Sequence, residues 1–174
     1  MLLTKCWAPC FTLNKANEIN LERGSILIAL YTAVLHILSL FYGIALLNNS
    51  VRTDTFFSPV FELSKSSTRM VAIFLILYSL AFVICCSFGL IFGVRNETRF
   101  FYLPWMYCTA VELLFATSFG IFMVYRYWHY AWATFSALIL WFYSGYHAYL
   151  FWTVVSLYCY LKELQEPTFI ILYA

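Results

Sequence analysis

Four apolar stretches, about residues 25–47, 70–94, 101–124 and 131–159, take up most of this 174-residue chain. A helix that crosses a bilayer needs ~20 mostly apolar residues, because the hydrocarbon core is ~30 Å thick and each residue rises ~1.5 Å. Every stretch meets that length, and together they hold one carboxylate, Glu112, and no Lys or Arg. The expected fold class is therefore all-α: an integral membrane four-helix bundle forming one domain over 1–174, with both termini cytosolic.

Composition agrees. Hydrophobic residues make up 64% of the chain and charged residues 10%, against roughly half and a quarter in soluble domains. Too few polar residues remain to build a water-facing surface around a soluble core. A net charge of +2 with no basic stripe gives no purchase on nucleic acid. The start, Met1-Leu2-Leu3-Thr4-Lys5, lacks the apolar core of a cleavable signal, so the first span is expected to direct insertion.

Positive residues near membrane spans are retained in the cytosol. With the N-terminus inside, Lys5, Lys15, Arg23, Arg95, Arg99 and Lys162 are cytosolic, against Arg52, Lys65, Arg69 and Arg126 outside. That excess sets the expected orientation. Two N-x-Ser/Thr sequons begin at Asn48 and Asn96 in successive loops, so no more than one can be glycosylated; cytosolic tails make Asn48 the candidate. Tyr125, Tyr127, Trp128, Tyr130 and Trp132 read as an interfacial aromatic belt, with Phe101, Tyr102 and Trp105 as anchors on the opposite face. Pro104 is tolerated in the first turn of the third helix.

Lipid removes most of the hydrophobic drive for helix association, so small residues and polar contacts gain weight. Gly89 and Gly93 form a GxxxG pattern, and Ala116 with Gly120 repeats that spacing. Ala133 with Ala137, and Ser144 with Ala148, do so on the fourth helix. These are candidate helix-packing positions, either within one bundle or against a partner subunit.

Glu112 lies about twelve residues into the third stretch, near mid-membrane at ~1.5 Å per residue. A charged carboxylate there costs at least ~2.5 kcal/mol on insertion scales, so it should face the bundle and be paired or protonated. His36 and His147 lie at similar depth and are its candidate partners, with Tyr107, Thr109 and Thr117 as further hydrogen-bonding groups. The cluster reads either as a proton or cation relay or as an interhelical bond that fixes register.

Six cysteines occur, at Cys6, Cys10, Cys85, Cys86, Cys108 and Cys159, and none lies between the first two stretches. The absence of Trp and Cys from that loop disfavours claudins, and its lack of cysteines disfavours tetraspanins. Cys6 and Cys10 are candidate acylation sites beside the membrane. The other four read as apolar filler. No further ligand completes a metal site around Cys6 and Cys10. No phosphate loop, metalloprotease helix or nucleophile elbow occurs, so the chain is expected to be neither an enzyme nor a cofactor binder.

Several short motifs fall together: Cys6-x3-Cys10, Leu21-Glu22-Arg23-Gly24-Ser25-Ile26 leading to Tyr31, Pro104 ahead of Glu112, and Tyr160-Leu161-Lys162-Glu163-Leu164 before Pro167. This layout resembles the lysosome-associated four-span transmembrane proteins. It is closer to the short arthropod four-span relatives of the Pasiflora type, found in septate junctions. Lysosomal members end in long tails with Pro-Pro-x-Tyr motifs, whereas this sequence ends at Ile170-Ile171-Leu172-Tyr173-Ala174.

The resemblance implies a junctional protein of the lateral plasma membrane that helps seal the paracellular space. Its expected partners are membrane lipids and other integral membrane proteins or a second copy. An endosomal or lysosomal trafficking protein, and a small channel or transporter subunit using Glu112, are the alternatives.

Overall fold

The computed structural model describes residues 15–48 and 64–165. These form four long helices and, among the described residues, no strand. Helix α1 covers Lys15–Leu47 and α2 covers Lys65–Arg95; α3 is Tyr102–Tyr127 and α4 is Ala131–Gln165. The loop from residue 49 to 63 and both tails, with Cys6 and Cys10, lie outside the described residues.

Local chemistry marks the ends. Ser64 caps α2, its hydroxyl accepting the Ser67 N–H at 3.2 Å, as an N-cap serine should. At the other end of α2, the Asn96 amide donates to the Phe92 carbonyl at 3.0 Å. Glu97 then takes the left-handed conformation, φ 52°, that reverses the chain. A single 3-10 turn, Arg99–Phe101, leads into α3 with Pro104 in its first turn. Midway along α2, residues Phe82–Ser87 form a π-helical segment. The wider turn re-aims the side chains that follow it.

Among the described residues three segments are long and apolar enough to cross a membrane: Leu21–Leu47, Lys65–Arg95 and Arg99–Tyr127. Their outer ends depart from the sequence-derived limits by a few residues, because helix persists through polar flanks such as Lys65 and Arg95. Helix α4, at 35 residues, is the longest of the four but is not among these three. Trp132, Trp141, Tyr143, Tyr146, Tyr149 and Trp152, together with Gly145 and His147, dilute its aliphatic content. The expected fourth stretch is thus a helix, rich in aromatic rings.

Helix α1 packs mainly on α2, and α3 mainly on α4. The two pairs join in a core of Leu21, Ile28, Ala29, Phe82, Cys86, Leu90, Val94, Tyr102, Trp105, Leu150, Val154, Leu157 and Leu161. The start of α1, the α2–α3 turn and the end of α4 therefore meet at one end, where Gln165 also donates to the Glu97 carbonyl. On α4 the buried face runs through Ala133, Ala137, Ser144, His147, Leu150, Val154, Leu157 and Leu161, steps of three, four or seven that keep one stripe inward. The Lys65–Ala81 half of α2 stays with α1. There Gly43 lets the helices close, since a Cβ on it would lie 2.9 Å from the Ile76 side chain and 3.2 Å from the Ala72 carbonyl.

One expectation is overturned. Tyr102 and Trp105 are not membrane-surface anchors; both are fully buried. Trp105 reaches across to α1, its indole N–H donating to the Thr32 hydroxyl at 3.3 Å, and stacks on Phe151 of α4. Pairing the indole N–H inside the core removes the reason for that ring to seek headgroups. Tyr125, Trp128, Tyr130 and Trp132 are more than half exposed around the α3–α4 turn.

Candidate functional site

Glu112 stands near the middle of α3, where α1, α2 and α3 converge. The Tyr78 hydroxyl of α2 donates to Glu112 Oε1 at 2.8 Å. His36 Nε2 of α1 lies 3.2 Å from the same oxygen. Both neighbours can donate, so an ionised carboxylate receives two bonds on one oxygen, as a charged group in an apolar setting requires.

The histidine is held from below. Its ring stacks on Phe82, centroids 3.7 Å apart and planes 26° off parallel, while the Tyr78 ring meets it edge-on at 5.8 Å. Phe82 opens the π segment, so the widened turn presents this ring beneath His36. His36 has a side-chain exposure of 13% and Glu112 one of 27%, so the carboxylate is not fully enclosed.

The remaining expected partners take other roles. His147, almost fully buried on α4, packs against Tyr143 at 4.6 Å and Tyr31 at 5.8 Å between ring centroids, and its Nδ1 has no hydrogen-bond partner. It joins an aromatic group on the α1–α4 side of the bundle and is not a ligand of Glu112. Tyr107 is 71% exposed on the outer face of α3. Thr117 donates to the Leu113 carbonyl at 2.7 Å, which satisfies it within its own helix. Thr109 is fully buried with its hydroxyl unpartnered. Tyr78 is not among the partners expected from the sequence; its signal there is that it is the only tyrosine in the second apolar stretch.

The small residues sit at contacts within the chain. A Cβ on Gly93 would fall 2.9 Å from the Phe101 Cβ and 3.2 Å from the Thr98 carbonyl, so the turn into α3 occupies that face. Gly89 is less crowded, with the Phe101 carbonyl at 3.8 Å. Gly120 receives the Trp141 indole of α4, whose N–H points at the Thr117 carbonyl 3.5 Å away. Ala116, one turn earlier, is half-buried. Asn48, the sequon asparagine, is exposed at the end of α1, its N–H bonded to the Ile44 carbonyl.

Chemically the cluster can hold and share a proton among a carboxylate, an imidazole and a phenol. Among the described residues no group of three or more His, Cys, Asp or Glu side chains comes together as a metal site. The chain matches no established family profile, no curated protein and no solved structure.

Proposed function

We propose that this chain is a four-span integral membrane protein with cytosolic termini that acts without catalysis, by lateral assembly with other membrane proteins or with itself. Tyr107 carries the reading. It projects from the outer face of α3 beside Val111, Leu114 and Phe115, all strongly exposed. Its depth is about 12 Å from the Arg99 end at ~1.5 Å per residue. A phenol facing hydrocarbon at that depth has no water to bond, and a neighbouring helix that offers an acceptor relieves the penalty. The GxxxG face is filled from within the chain, whereas the outer face of α3 is open to a partner.

The family resemblance directs this assembly to the septate junction and to an epithelial paracellular barrier. The test places a photo-crosslinking residue at position 107 of the full chain in a polarised epithelium, imaged against junctional and lysosomal markers. Protein adducts at lateral junctions support the reading. Lipid adducts alone remove lateral assembly through this face, and accumulation in acidic vesicles favours endolysosomal trafficking instead.

A second reading, a channel or transporter subunit, is favoured by the partial exposure of Glu112 beside His36. Under it Glu112→Gln abolishes a pH-dependent flux. Unchanged flux in the variant, or none in the wild type, removes it.

A further inference from the structure

Cys86 and Cys108 meet across the α2–α3 interface with their Sγ atoms 3.6 Å apart. Cys86 is almost fully buried in the main core and Cys108 packs partly buried against it. Both are free thiols, as is the neighbouring Cys85, which is exposed. We propose that Cys86 and Cys108 are a disulfide-forming pair that a membrane-permeant hydroperoxide oxidises, clamping α2 to α3 beside the Glu112 cluster.

Geometry is the first support. A disulfide holds its sulfurs at ~2.05 Å, so closure asks for an approach of about 1.5 Å from the present van der Waals contact. Cys86 belongs to the π segment Phe82–Ser87, where α2 already departs from regular α geometry. On the other helix, Cys108 lies one turn before Glu112, whose bond to Tyr78 already fixes α2 against α3. The pair is thus aligned by a contact independent of the sulfurs.

Chemistry selects the oxidant. Burial in an apolar bundle keeps charged aqueous reagents away from both groups, so the reagent must be small and neutral. One thiol loses its proton and attacks the peroxide oxygen; the O–O bond breaks and a sulfenic acid and water form, or an alcohol from an alkyl hydroperoxide. The second thiol then attacks the sulfenic sulfur, the S–S bond forms and a second water leaves. The two thiols supply the two electrons that reduce the O–O bond, and their protons leave in the released molecules. Cys85, one residue along on the exposed side of α2, is the internal control for simple accessibility.

The test treats the full chain in lipid nanodiscs with graded hydrogen peroxide, blocks remaining thiols, and maps cross-linked peptides by mass spectrometry. The expected product is a Cys86–Cys108 linked peptide, at least fivefold more abundant than any Cys85 disulfide and reversed by dithiothreitol. It disappears in Cys86→Ser and in Cys108→Ser and persists in Cys85→Ser; Cys86→Ala replaces the first variant should that fail to fold. Two results overturn the proposal. One is Cys86 and Cys108 both remaining thiols at peroxide doses that oxidise Cys85. The other is their oxidation to sulfinic acids or to disulfides between chains.

Discussion

Tyr78 and Glu112 face each other across α2 and α3, hydroxyl to carboxylate oxygen at 2.8 Å, each near the middle of its helix. Interhelical side-chain bonds in membrane proteins contribute ~0.6–2 kcal/mol. We expect Tyr78→Phe and Glu112→Gln each to lower stability in detergent by about 1 kcal/mol. The double variant should lose less than the sum, with a coupling of ~0.5–2 kcal/mol. A coupling near zero in such a cycle, read by reversible unfolding, would deny the bond any part in holding the helices together.

Glycines divide by what stands opposite them. A methyl at Gly93 meets the Phe101 Cβ at 2.9 Å and the Thr98 carbonyl at 3.2 Å, and neither backbone-linked atom can swing away. Gly93→Ala should therefore cost ~1–3 kcal/mol, the usual range for overpacking. Gly89→Ala, with nothing nearer than 3.8 Å, and Gly145→Ala, with open space, should be neutral or gain up to ~1 kcal/mol from helix propensity. Thermal unfolding followed by helical circular dichroism ranks the three. Equal losses at Gly89 and Gly93 would indicate that a partner, not the α2–α3 turn, covers this face.

Most of the helical layout was legible because apolar length is a strong signal, and the mid-helix acid announced its need for a partner. Which partner was less legible. Depth alone made His36 and His147 equivalent, and only the azimuth of each helix turns His36 toward Glu112 and His147 toward Tyr31 and Tyr143. The π segment adds a further offset that a regular 3.6-residue repeat does not anticipate, and it lies in the same helix as both Tyr78 and Cys86. Tyr102 and Trp105 depart from expectation for another reason. Their position near a helix start suggests a headgroup anchor, but Thr32 on a different helix supplies the acceptor that draws the Trp105 indole inward. Gly43 escaped notice because its small-residue partner, Ala72, is on another helix and forms no motif with it in sequence.

That difference between tryptophans can be measured. Trp105 is fully buried, whereas Trp128 and Trp132 are 68% and 64% exposed. In single-tryptophan variants reconstituted into vesicles, lipids brominated near the headgroup should quench Trp128 and Trp132 strongly and Trp105 little. Trp105→Phe should also cost ~1–3 kcal/mol, through the lost bond to Thr32 and the space left in the core. Strong quenching of Trp105 would place it at the membrane surface and refute its burial.

The two histidines should respond in opposite directions when made apolar. His36→Leu removes a donor from Glu112 Oε1 and a ring stacked 3.7 Å from Phe82. A loss of ~1–3 kcal/mol is expected, because an acceptor is left short of a partner in a region with little water. His147 already carries a buried, unpartnered Nδ1, and a side chain of similar volume without that atom escapes the desolvation cost. His147→Leu should thus be neutral or stabilising by up to ~1 kcal/mol. Unfolding midpoints of the two variants in one detergent decide the matter. A large loss at His147 would mean that its imidazole is satisfied in the membrane by a group outside this chain, and would bring that helix face back as a functional surface.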